Sequence, residues 1–269
     1  MKKLNEANLK VGDIILTTTS LPKSKGIRFA TKSDISHAMV YVESHSVIDS
    51  TGDGVQSRNT QRLFWEDHLA VHVLRLREGL TEEETQEITS YVRGRIGTQY
   101  ATMEAFRSVT RGPKRKTRKQ FCSRLVAQAY ASAGIQLAQS SDYCTPEMLK
   151  NSSRLCKVSN ATRLISAREI NAINAVFDIP ALMRDVTNAV LNGAREKDKN
   201  IQHLNDIDEH LRTHPENDAY FAKLFKESGV SNRMVEGVRE KSLALRSRAD
   251  GIECITRVRE AIVLRATRL

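Results

Sequence analysis

Aromatic residues are scarce in this 269-residue chain. They make up 5% of it and include a single tryptophan, Trp65. That scarcity weighs against an aromatic platform on which single-stranded nucleic acid would stack. Long apolar runs are also missing. No stretch approaches the roughly 18 uninterrupted apolar residues of a membrane-spanning helix. The opening "MKKLNEANLKVGD" is basic but lacks the apolar core of a signal peptide. Cysteine is sparse: Cys122, Cys144, Cys156 and Cys254, with no C-x-x-C pair among them. A zinc ribbon, a thioredoxin-like redox pair and a disulfide scaffold are all disfavoured by that spacing. The expectation is a protein cytoplasmic as made, unless dedicated machinery exports it, with no metal and no cofactor.

The net charge is +10, and most of the excess falls in residues 1–159. A basic surface favours anionic partners, a phospholipid headgroup or a nucleic acid. There is no helix-turn-helix, finger or aromatic RNA-binding signature, so nucleic acid is not the expected partner.

Residues 11–80 read as strands and turns. "DIILTT" (13–18), "HAMVYVES" (37–44) and "VIDS" (47–50) are strand-like, "GDG" (52–54) is a turn, and "VHVLRLR" (71–77) alternates at period two. Thr81 followed by three glutamates starts a helix that runs to Gly94 or Gly97. Further helices are predicted at 101–109, at 122–133 ending on Gly134, and at 145–152 with Pro146 in the first turn. "LCKV" (155–158) reads as a closing strand. Beyond Asn160 no strand is evident, and helices are expected at 162–176, 181–198, 201–213, 216–228, 231–248 and 251–268. The fold class is therefore α+β followed by an all-helical module, with domains at 1–159 and 160–269.

Cys122 opens its helix in "QFCSRLVAQAY". There the free backbone N–H groups and the positive end of the helix dipole stabilise a thiolate and can bind an oxyanion. Leu125, Val126, Ala129 and Ala133 form an apolar stripe that would hold the sulfur in place. The competing explanation is an inert core thiol. A thiol nucleophile needs a base, and His37, at the start of "HAMVYV", is the best placed of the seven histidines. His45 reads as a solvated turn residue, His68 and His72 as rim, and His203, His210 and His214 as members of polar helix faces. If 37–42 and 47–50 form a hairpin, Asp49 faces His37 and orients it; Asp53 is the weaker candidate.

The ordered set "VGDIILTT", "SKGIRFATKSDISHAMVYVES", "VIDSTGDGVQ" and "FCSRLVAQAY" resembles the permuted papain-like hydrolases, the YiiX-like relatives of the NlpC-type cell-wall peptidases. It is more distantly similar to lecithin:retinol acyltransferase-like proteins. The likeness covers about residues 10–157. In this permuted order the histidine strand precedes the cysteine helix, as His37, Asp49 and Cys122 do. The resemblance implies a permuted papain-like domain with an antiparallel sheet, and Cys122 as nucleophile, His37 as base and acid, and Asp49 as orienting group. Family members more often carry Glu at that third position. It also implies that Tyr100 lies near the site, with Ser123 beside the nucleophile.

The substrate stays open at this level between an amide or peptide and a lipid ester. "RGPKRKTRK" (111–119) sets six basic residues just before Cys122, among them Lys116, Arg118 and Lys119. It reads either as a solvated loop or as a collar that steers an anionic membrane to the thiol. A binding protein on the same scaffold is the non-enzymatic alternative. The helical module suits a protein partner, and an accessory module on an acyl hydrolase suits a secreted bacterial effector by analogy.

Overall fold

The computed structural model describes residues 1–18, 33–101 and 118–228. The helices expected at 101–109, 231–248 and 251–268, Cys254, and residues 111–117 of the basic loop with Lys116 lie outside the described residues.

Six strands form one antiparallel sheet in the order β5-β4-β3-β2-β6-β7. They are β2 (Ile14–Thr17), β3 (His37–Glu43), β4 (Ser46–Thr51), β5 (Gly54–Asn59), β6 (Val71–Leu76) and β7 (Leu155–Lys157). β2 sits at the centre, paired with β3 through Ile15 opposite Met39 and with β6 through Ile15 opposite Val73. Alternation along these strands divides the apolar residues between two faces. Ile14, Leu16, Ala38, Val40, Ile48 and Leu74 pack into one core, and Ile15, Met39, Val47, Trp65 and Val73 into another.

The first of these cores is closed by helices. α1 (Glu82–Gly94) begins at Thr81, whose side chain accepts from the Glu84 N–H while the Glu84 carboxylate accepts from the Thr81 N–H. This reciprocal cap satisfies two backbone donors that a helix start leaves open. α2 (Cys122–Ser132) packs against α1, β3 and β4. The expected amphipathic stripe proves too narrow: Cys122 to Ala127, Ala129 and Tyr130 are all buried. The helix lies between the sheet on one side and α1 and α3 (Pro146–Lys150) on the other, so only one edge reaches solvent. Burying Leu125 or Val126 completely stabilises by roughly 1.5–3 kcal/mol each.

Two short strands depart from the expected pattern. β1 (Lys2–Leu4) pairs antiparallel with β8 (Thr162–Leu164). The expected helix at 162–176 is therefore a strand followed by α4 (Ala167–Asn174), whose start is the Ser166–Glu169 capping box. β-branched Thr162 and the unpaired edge of β1 select strand there, and residues just past 160 belong to the first module's sheets. The remaining described helices are α5 (Ile179–Lys197), α6 (Leu204–Thr213) and α7 (Asp218–Glu227). Val190, Leu191, Ala194, Ile201, Ile207 and Phe221 form their own small core. His203 and His210 were expected on polar faces, but both are 8% exposed. His203 precedes α6 and its Nε2 accepts from Arg95 Nη1, and His210 stacks on His214 beside Phe221. A short helix turns its polar face inward when that face meets a neighbouring element.

α5 docks on the first module. Gly97 has φ +90°, and a Cβ there would lie 2.0 Å from the Leu191 Cδ1 atom of α5. Arg195 of α5 donates to the carbonyls of Gly97, Ile201 and Gln202.

Candidate active site

The site begins with a gap between strands. β3 starts at His37 and β4 runs to Thr51, yet their pairing stops at Met39 opposite Asp49. The start of α2 enters this divergence. Ser50 Oγ donates to the Gln120 carbonyl (3.1 Å), and a bridge from Tyr100 to Gln120 lays the 99–101 segment alongside. Phe121 holds an extended N-cap conformation with no side-chain cap, so no side chain competes for the first N–H groups of α2. The N–H groups of Ala38 and Ser123 donate to the Cys122 sulfur.

Arg124 braces this start. It is 1% exposed, its Nε donates to the Asp142 carbonyl (2.8 Å) and its Nη1 to the Lys119 carbonyl (2.9 Å). Its guanidinium lies over the rings of Phe121 and Tyr143. The buried cation thus clamps the residues on both sides of the thiol.

His37 Nε2 lies 2.8 Å from Asp49 Oδ2, which leaves Nδ1 for Cys122. Asp49 is diagonal to His37; the residue opposite Asp49 is Met39. The diagonal offset gives the short Asp side chain its reach to the ring. Asp49 is fully buried, and its Oδ2 also accepts from Arg58 Nη1 at 3.1 Å. Arg58, on β5, is a member of this arrangement that sequence reasoning missed. Its strand "GVQSRN" is too polar to show a period-two signal, although the Gly54 turn marks where it starts.

Electrostatics follow from this packing. Burial acts to lower the His37 pKa, but the negative sulfur of Cys122 and the Asp49 carboxylate outweigh it and raise the value to about 10. Burial acts to raise the Cys122 pKa, but the charge and hydrogen bond of His37 and the two backbone N–H groups hold it below the usual thiol range. Asp49 is likewise held below the carboxylate range, against its burial, by His37 and Arg58. The arrangement favours a thiolate–imidazolium pair supported by a buried carboxylate. Cys144 differs: burial, then the charge of Cys122, pushes its thiol up to about 12.

The other expected site residues divide. Tyr100 is close enough to Cys122 that, after burial, the sulfur's charge raises its phenol. Ser123 is buried and donates its hydroxyl to the Cys144 carbonyl (2.7 Å), so the side chain packs while the N–H faces the sulfur. Arg118 turns to the helical module, where it pairs with Asp206 and donates to the Asn200 carbonyl (3.2 Å). Lys119 lines a cleft of about 380 Å³ together with Tyr100 and residues of α5. Asp53, the weaker orienting candidate, lies in the wall of that cleft, and it is Asp49 that His37 contacts. Among the described residues no group of three or more His, Cys, Asp or Glu side chains is gathered as a metal site, and no helix is long and apolar enough to cross a membrane.

The model of the permuted papain-like amidase enzymes, YaeF/YiiX, C92 family, matches residues 8–170. Among solved structures, the chain is similar to one described as the metalloprotein yiiX from Escherichia coli. The identity is 16% and the TM-score 0.38, over 56% of this chain and 97% of that one. No curated protein matches.

Proposed function

The chain belongs to the permuted papain-like amidase family, and from that membership we propose that it is a thiol hydrolase that cleaves an amide or peptide bond through a thioester on Cys122. The observation that carries this reading is the line Cys122–His37–Asp49, with its mutually stabilised charges.

In this reading the Cys122 thiolate attacks the carbonyl carbon, and the C=O pair moves to oxygen. The Cys122 N–H at the start of α2 receives that oxyanion. As the tetrahedral intermediate collapses, the C–N bond breaks, and the imidazolium of His37 gives its proton to the departing amine. Neutral His37 then takes a proton from water as that water attacks the thioester. The acid is released, and thiolate and imidazolium are restored. Asp49 keeps the ring in the tautomer that presents Nδ1 to sulfur, and Arg58 keeps Asp49 ionised.

The test is capture of the acyl-enzyme from a bacterial lysate, followed by peptide mapping. A peptide- or amino-acid-derived adduct on Cys122, absent in Cys122→Ala, is the expected result. A fatty acyl adduct would replace the amide by a lipid ester. Hydrolysis retained in Cys122→Ala would remove the mechanism and leave a binding protein on this scaffold.

A further inference from the structure

The cleft beside Tyr100 is built by both modules. The turn residues Gly52 to Gly54 and the segment 97–100 form one side, and Asn188, Asn192 and Arg195 of α5 form the other, with Lys119 between them. We propose that this cleft is the specificity subsite of the thiol, and that it binds the free terminal carboxylate of a peptide or N-acyl amino acid. The proposal rests on the thiol-hydrolase reading above and names its substrate class.

Three observations support it. The walls are polar: amides from Gln99, Asn188 and Asn192, and cations from Lys119 and Arg195. A fatty chain would desolvate those groups without pairing them, whereas an amino-acid unit fits a volume of about 380 Å³. Second, Arg195 spends its donors on the carbonyls of Gly97, Ile201 and Gln202 and on Asn192 Oδ1. Among the described residues no carboxylate lies within ion-pair distance of it, and the charge of Asp206 acts on it only from farther away. Third, the cleft adjoins the start of α2: Tyr100 and Lys119 line it, and Tyr100 bridges to Gln120, two residues before Cys122. Asp53 at the exposed turn adds one negative charge to the rim. It opposes a phosphate dianion more strongly than a carboxylate monoanion.

Binding can be measured without turnover. Full-length Cys122→Ala is titrated with N-acetylglycylglycine and with the corresponding C-terminal amide, followed by NMR chemical-shift changes. The acid should bind about tenfold or more tightly than the amide, and added salt should weaken it. Asn192→Asp places a carboxylate beside Arg195 at an exposed helix position; it should abolish the preference while the circular dichroism spectrum stays unchanged. Equal binding of acid and amide, no binding of either, displacement of the acid by inorganic phosphate, or a preference that survives Asn192→Asp would each overturn the subsite. Reactivity of wild-type Cys122 toward iodoacetamide is scored separately. A reactive thiol with no acid preference refutes the subsite alone, and an inert thiol refutes the hydrolase reading even where the acid binds.

Discussion

Two buried cysteines share one core and are driven in opposite directions. Cys122 is held below the usual thiol range by His37, and Cys144 is pushed by burial to about 12. Neutral-pH alkylation should therefore modify Cys122 quickly and leave Cys144 untouched, as read from cysteine-containing peptides by mass spectrometry. Activity should follow the pair, not either residue alone. On the acid side it falls as the sulfur gains a proton, below the usual thiol range. On the alkaline side it falls near pH 10, where His37 loses the proton that the leaving amine needs. Asp49→Asn removes a charge that raises the His37 pKa, so the alkaline limb should move to lower pH. The same change should cut kcat/KM by about 10²–10⁴-fold, because the ring loses its orienting acceptor. A drop in rate with an unmoved alkaline limb would count against Asp49 as the orienting group. These residues were legible in the sequence because order along the chain carried them: a histidine opening a strand, an acid on the next strand, a cysteine opening a helix. Arg58 was not, because it meets Asp49 on a diagonal of the β4–β5 ladder, where Asp49 stands opposite Gln56 and Arg58 opposite Val47.

At the scale of elements, the strands with alternating or continuous apolar residues and the capped helices are where the residues place them. The polar β5, and β1 and β8, were missed: β5 is a hairpin partner of β4 whose polar residues show no alternation, and β1 and β8 pair with each other from far apart in the chain, which no local pattern reveals. The cleft was equally hidden, since it depends on how α5 lies against the 97–100 segment. Gly97 sets that fit. It has a positive φ, and Leu191 occupies the place of the missing Cβ. Gly97→Ala should cost about 2 kcal/mol or more, from strain and overpacking together. It should also lift α5 from the cleft, so KM for acid-terminated substrates should rise more than kcat falls. An unchanged melting temperature and KM would show that α5 can shift without consequence.

Across the whole molecule, the pairing of β1 with β8 ties the first residues to the junction before the helices. Leu4 is fully buried in the core on the sheet face away from α2. Leu4→Ala should destabilise the protein by about 2–5 kcal/mol in urea denaturation followed by circular dichroism. It should leave iodoacetamide reactivity of the folded protein near the wild-type rate, because α2 packs on the opposite face. Loss of thiol reactivity in the folded variant would mean that the two faces are coupled through the sheet. That division of faces has an optical consequence. The lone indole, Trp65, lies in the same core as Leu4 and bridges to Lys2, while the sulfur belongs to the other core. Selectively excited tryptophan emission therefore reports the integrity of the rear layer and stays dark to acylation at the front. One cuvette can follow unfolding by emission and turnover by a separate chromophore, with neither signal contaminating the other.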